Sequence, residues 1–289
     1  MVILITPTFS LVKKQMPELA EVKIMSEYIN SVSEGQIYTN IRKSPETKVK
    51  TQMEDPFGGM PFTIEAQSRG KELMLTLISM AGEERSIKFA MGMSGNWYLA
   101  SPGEMVKHAH LKFYREDGYS LMMVDVRRFA KWDWTESWSN KRGPCPLSEY
   151  EGFVEHVKSS SNKKLFEKPI YEIMMDQKYF NGIGNYLRAE ILYRSGVNPF
   201  LPAVKTLSDD LLELCHDVCQ EAYLVGGGEL KDWDNPFKRG YGRGRINEKM
   251  GRLADTSFRD WLQCYGKMES IEDSKGRRFW YHKKFMNNE

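Results

Sequence analysis

The chain reads as an α+β protein: a strand-rich N-terminal half with a leading helix, then a helical C-terminal half ending in a β-hairpin. Three observations carry that reading. Hydrophobic residues make up 41% of 289 and aromatics 12%, enough for a sizeable core. From Phe62 to Phe129 the apolar positions fall in short strand-length runs separated by tight turns. Beyond Pro146 the apolar spacing changes to the three- and four-residue steps of helices.

Taken in order, Leu19, Val22, Met25, Ile29 and Val32 set a first helix, with Pro17 at its start and Gly35 at its end. Arg42–Met60 is polar, carries prolines and Gly58-Gly59, and reads as a long loop. FTIEAQ and ELMLTLISM, joined through Ser68-Arg69-Gly70, form a hairpin; IKFAM, WYLA, HLKFYRE and YSLMMVDV supply further strands. Such a series predicts a β-sandwich or barrel, the sandwich being preferred. A linker follows near residues 139–148. Ser148 with Glu151 makes a capping box for the next helix, and Ile170–Gln177, Tyr186–Ser195, Leu207–Val225 and Phe258–Tyr265 read as more helices. Ser270–Phe285 is a hairpin turning near Lys275-Gly276. The expected domains are an N-terminal extension over 1–16, a β-sandwich domain over 17–140, and a helical domain over 141–289 with the hairpin at about 268–286.

Net charge is only +2, so overall charge selects no partner. Its distribution does more. Lys238–Arg252 carries six cations against one acid, and Lys275–Lys284 five cations and no acid, both interleaved with aromatics as a nucleic-acid surface requires. Either run alone is equally a solvated basic loop. Cys145, Cys215, Cys219 and Cys264 show neither a disulfide framework nor paired CxxC spacing, which points to reduced, intracellular surroundings. The apolar opening lacks the marks of a signal peptide, and no apolar run reaches membrane-spanning length.

The densest signal is Asp176–Phe200, where Gly182 and Gly184 punctuate a turn, Asn185 opens an amphipathic helix, and Gly196 closes it. Such a turn aims free N–H groups and a helix dipole at an anion, usually phosphate. A tight helix–helix connection would look the same.

Met16-Pro17-Glu18, Arg69-Gly70-Lys71-Glu72-Leu73, Met91-Gly-Met-Ser-Gly95, Val124-Asp-Val-Arg-Arg-Phe129 and this glycine turn occur in order along the chain. Together they resemble the Fpg/Nei family of bifunctional DNA glycosylases, which repair oxidised bases. KHAHLKFY, RGPCPLSEY, FRDWLQCYG and GRRFWY are closest to the Nei-like branch, and the terminal hairpin contains no cysteine, so it cannot hold zinc through two CxxC pairs. The resemblance implies a helix-two-turn-helix domain ending in a zincless finger. It implies damaged DNA as partner, with no metal or organic cofactor and no membrane, and a monomer in the nucleus or another DNA-containing compartment.

It also implies roles. Pro17 is the nucleophile once its nitrogen is N-terminal, because a secondary amine attacking C1′ gives an iminium that drains electrons from the sugar. Glu18 protonates the sugar ring oxygen, Lys71 reaches the scissile phosphate for β-elimination, and Arg277 grips the surrounding phosphates and assists δ-elimination. Asn185 holds the same backbone. Met93, Arg127 and Phe129 are wedges that fill the gap left by an extruded base. Oxidised pyrimidines and hydantoins are favoured over 8-oxoguanine. Five of these residues have ordinary alternatives: helix-start Pro17 and Glu18, a solvated Lys71, core Met93 and Phe129; Arg127 fits a core poorly, which favours the wedge.

Two departures stand out. The family opening is commonly Pro-Glu followed by Gly-Pro or Leu-Pro; here Leu19-Ala20 follows. Fifteen residues precede Met16, and with them in place the Pro17 nitrogen is a tertiary amide with no usable lone pair. Either Met16 is therefore expected to be the functional start, or the leader is expected to be removed. A retained leader would instead make a non-catalytic damaged-DNA-binding protein, and the helix–turn segment alone would suit a plain nucleic-acid-binding module.

Overall fold

A computed structural model describes residues 16–53, 55–228 and 256–285. The basic run Lys238–Arg252 lies outside the described residues, as does most of the expected extension.

Helix α1 (Leu19–Ser33) leads into an antiparallel array of β1 (Tyr38–Lys43), β2 (Phe62–Arg69), β3 (Glu72–Ser79), β4 (Glu84–Ala90), β5 (Gly95–Ala100), β6 (Ala109–Arg115), β7 (Ser120–Asp125) and β8 (Lys131–Trp134). Spatial order is β5-β7-β6-β1-β2-β3-β4-β8. The β1–β2 link consists of the single pair Tyr38↔Phe62, so the sheet folds there into two four-stranded layers. Their inner faces meet in one core: Ile64, Leu75, Ile87, Phe89 and Trp132 from one layer, Tyr38, Trp97, Phe113 and Met123 from the other. Trp97 sits edge-on to Phe89 at 5.0 Å. Burying a large apolar side chain of this kind contributes about 1.5–3 kcal/mol, which makes this seam the sandwich's main source of stability.

Two strands escape the sequence reading. β1 buries only Tyr38 and Ile41, every third residue across a register shift between Tyr38 and Asn40, and overlaps the start of the expected loop. β8 has only four residues, two of them charged.

The second half contains α2 (Tyr150–Ser160), α3 (Ile170–Ile173), α4 (Asn185–Ser195), α5 (Ala203–Thr206), α6 (Asp209–Leu224) and α7 (Phe258–Trp261). Its hairpin pairs β9 (Glu269–Glu272) with β10 (Arg278–Tyr281). The expected Ser148 cap is not formed. Glu149 is the N-cap of α2, and its carboxylate instead accepts from the Cys145 N–H at 2.8 Å and from Arg69 at 2.7 Å. Nor is α4 amphipathic: Tyr186 through Leu192 are all buried, so the helix is the centre of this half rather than its wall. Cys215 and Cys219 pack in the same core. Among the described residues no helix is long and apolar enough to cross a membrane.

α1 belongs to both cores. Leu19 and Ala20 pack with the helical half, whereas Val22, Ile24, Met25 and Ile29 pack with the sandwich. The helix start is thereby set at the junction, where the Leu19 N–H donates to the Gly182 carbonyl at 3.2 Å.

Candidate active site

Pro17 and Glu18 are buried at that junction. Glu18 is 3% exposed, and its carboxylate accepts from the backbone N–H groups of Tyr186 (3.0 Å) and Leu187 (3.3 Å), the second and third residues of α4. The anion that the glycine turn attracts is thus this chain's own glutamate, supplied from 168 residues away. The physics expected of the turn holds, but the tenant differs: the orphan N–H groups of a buried helix start need an acceptor inside the protein.

Lys71 reaches the same point from the β2–β3 turn, donating from Nζ to the Ile183 carbonyl at 2.9 Å. Gly184 explains how three groups converge. A Cβ there would lie 2.2 Å from Glu18 Cδ and 2.5 Å from Lys71 Nζ, so any side chain would evict one of them. Gly70 does the same for the turn that carries Lys71. Its φ is +58°, and a Cβ would strike the buried Asn181 amide at 2.1 Å.

Burial pushes the Glu18 carboxyl up to about 7; Lys71 and the two backbone N–H groups oppose the rise, and nearby Glu21 adds to it. Desolvation likewise holds the Lys71 ammonium below its ordinary value, although Glu18 pulls the other way. An acid poised near neutrality beside an easily neutralised lysine is suited to proton transfer. Glu21 props the group. It accepts from the Glu18 N–H (2.7 Å), the Gly228 N–H (2.6 Å) and the Tyr186 hydroxyl (3.0 Å).

On the other side of α4, Asn185 donates from Nδ2 to the Arg278 carbonyl at 2.7 Å, so the helix start and the hairpin are joined. Arg277 is half-buried in the hairpin turn, its Nε on Asp273 at 2.8 Å.

Met93, Arg127 and Phe129 form a separate group. Asp125 at the end of β7 accepts from the Ser94 hydroxyl, the Arg127 N–H (3.1 Å) and the Ala130 N–H (2.7 Å), which stitches the 91–95 turn to the 126–130 loop. Arg127 and Phe129 are exposed, with the guanidinium 4.9 Å from the ring centre, while Met93 is half-buried. An exposed aromatic and arginine on braced loops can enter a base stack; core packing accounts for neither.

Sequence reasoning missed Glu21, Gly184 as a contact point, Asp125, Arg188 and Asp273. Arg188 and Glu190 were detectable as two charges within an otherwise apolar stretch of helix. Asp273 carried no such mark. Among the described residues no group of three or more His, Cys, Asp and Glu side chains is arranged to hold a metal.

Comparison with known proteins gives a consistent picture. The Formamidopyrimidine-DNA glycosylase N-terminal domain matches residues 16–132, beginning at Met16, and the Endonuclease VIII-like 1 DNA-binding domain matches residues 256–284. Endonuclease 8-like 1 of Homo sapiens is 36% identical over 92% of this chain and 72% of its own length; that of Mus musculus is 37% identical over the same shares. A Lactococcus lactis Fpg in complex with DNA containing Fapy-dG superposes with a TM-score of 0.71 over 93% of this chain and 99% of its own, at 22% identity, a likeness of fold.

Proposed function

The chain belongs to the Fpg/Nei family of DNA glycosylases, and we propose the following division of labour among its residues. The enzyme is a base-excision DNA glycosylase with an associated AP-lyase activity. The Pro17 nitrogen, freed by removal of everything before it, attacks C1′ of the damaged nucleotide. Glu18 gives its proton to the ring oxygen and the departing base takes the proline N–H proton as the C1′–base bond breaks, leaving an iminium between Pro17 and the opened sugar. Removal of the 2′ proton sends its electron pair into that sink and expels the 3′ phosphate, and a second elimination expels the 5′ phosphate, freeing the sugar–proline adduct for hydrolysis. Lys71 serves the first phosphate and Arg277, with Asn185, the phosphates around the extruded nucleotide. Met93, Arg127 and Phe129 occupy the vacated stack. The amine supplies the electron sink itself, so the sequence of steps draws on no metal or organic cofactor.

One observation carries this reading: a carboxyl poised near neutrality, fixed by two backbone N–H groups beside Lys71, in the residue that follows Pro17. We further propose oxidised pyrimidines and hydantoins as preferred substrates. The protein acts as a monomer in a reducing, DNA-containing compartment, in keeping with four buried, unbridged cysteines.

Borohydride trapping on lesion-containing DNA tests the mechanism, comparing protein made from Met1 with protein made from Met16 and recording intact masses. An adduct formed only when Pro17 is terminal is the expected result. An active enzyme whose mass retains residues 1–16 would refute the nucleophile assignment. No adduct from either form, with lesion binding kept, would leave a damage-binding protein. Faster single-turnover release of 8-oxoguanine than of oxidised pyrimidines would overturn the substrate preference.

A further inference from the structure

α4 carries two charged side chains that are entirely buried, Arg188 and Glu190, and each holds part of the hairpin region. Glu190 accepts from the N–H groups of Gln263 (2.9 Å), Cys264 (2.8 Å) and Tyr265 (2.8 Å), the segment that feeds β9. Arg188 lies over the Phe279 ring at 4.9 Å and donates to the Tyr171 carbonyl (2.9 Å), to Asn185 Oδ1 (2.6 Å) and to Asp273 Oδ2 (3.2 Å). Asp273 is the hub of the hairpin turn. Its carboxylate also accepts from the N–H groups of Lys275 (3.0 Å) and Arg277 (2.9 Å) and from Arg277 Nε (2.8 Å).

We infer that Asp273, locked by Arg188, is a positioning residue that aims the Arg277 guanidinium and so governs the second elimination. Nothing above gives Asp273 or Arg188 a part in the reaction, and the inference rests on the role proposed for Arg277. A free arginine spreads over many rotamers; tethering Nε removes most of that freedom before DNA arrives. Among the described residues the two Nη groups donate to no protein acceptor, which leaves a fork facing outward for phosphate oxygens. Arg188 adds register. It fixes Asn185 and Asp273 with one rigid guanidinium, so the two phosphate-binding positions keep a constant separation although they lie on different elements.

The test uses DNA with a preformed abasic site, on which both elimination products can be counted, and the trapping-competent form of the enzyme. Asp273→Asn keeps the shape and one acceptor oxygen but removes the charge. It should leave β-elimination within about twofold and lower the rate of δ-product formation about tenfold, the effect of losing one charge-assisted contact in a transition state. Glu190→Gln loosens the same region without touching Arg277; if it shifts the product ratio as far as Asp273→Asn does, the ratio reports looseness and the inference fails. Asp273→Glu keeps the buried charge yet displaces the carboxylate by one methylene, and should lower δ-product by a smaller factor. A wild-type ratio in Asp273→Glu overturns the inference even if Asp273→Asn does not fold. Arg277→Ala separates the two layers of the argument. Undiminished δ-product there would sink the role of Arg277 and the positioning with it; lost δ-product there, with Asp273→Asn unchanged, would sink the positioning alone.

Discussion

Around Glu18 the contacts join remote parts of the chain: its two backbone donors are 168 and 169 residues away, and Lys71 meets its carbonyl across 112. Around Asp125 the chain is folded on itself, with N–H donors two and five residues on and the farthest partner, Ser94, 31 residues back. The first region is buried and shifts the titration of what it holds. In the second the hub is buried too, but the side chains it braces, Arg127 and Phe129, are exposed. The chemistry proposed here thus depends on the whole fold, while the proposed wedge is a self-contained pair of loops. The two should fail independently, and that independence can be broken or sharpened by experiment.

The largest effect is expected at Gly184. Gly184→Ala drives a methyl group into Glu18 and Lys71, and should cost at least about 1–3 kcal/mol of stability and abolish excision; thermal unfolding and single-turnover assays read both. Wild-type excision in this variant would show that the convergence on Gly184 is dispensable.

Next comes Glu18→Gln, which should slow base release by about 10²–10⁴-fold while leaving a preformed abasic site cleavable. Excision by the unaltered enzyme should decline as pH rises through about 7, where the acid loses its proton, and a pH–rate profile lacking that limb would remove Glu18 from the acid role. Stability gives a second reading. From 4.5 up to about 7 the unfolded chain releases the Glu18 proton while the folded protein keeps it, so stability falls across that window. Glu18→Gln should flatten this segment of the curve.

Asp125→Asn attacks the other region. Weakening its hydrogen bonds should cost about 1–3 kcal/mol and raise the KM for a lesion in duplex DNA, with abasic-site cleavage in single-stranded DNA unaltered. Equal losses on both substrates would mean that the loops serve the chemistry as well. The smallest effect belongs to Phe129→Ala. At 46% exposure its loss should change stability by no more than about 0.5 kcal/mol, yet reduce duplex excision several-fold in the same assay.

Much of this was legible because it was written locally. Turns at Gly70 and Gly276, strand-length apolar runs in β2 to β7, and the Gly196 stop of α4 are all short-range signals, and they appear where the residues placed them. What escaped was written at long range. No local pattern says that the N–H groups of Tyr186 and Leu187 will be met by Glu18 rather than by a ligand, because that depends on α1 docking beside α4. The same holds for Asp273, an unremarkable turn aspartate until Arg188 is seen beneath it. Arg188 itself made α4 look half-solvated, since charge in a helix ordinarily means water and here means an internal partner. β1 and β8 were missed for a simpler reason: β8 is a four-residue edge, and β1 buries every third residue instead of every second.

The placement of α1 in both cores sets an order of events during biogenesis. A chain that has completed its sandwich owns Pro17, Glu18 and Lys71 but has no α4 terminus to hold the glutamate. The tail end of the sequence must also arrive before Arg277 exists. A strand-cutting enzyme is dangerous when half made, and here the carboxyl proposed as the acid is held only once Tyr186 and Leu187 have been made and α4 has closed over the first helix. Completion of the fold is the safety catch.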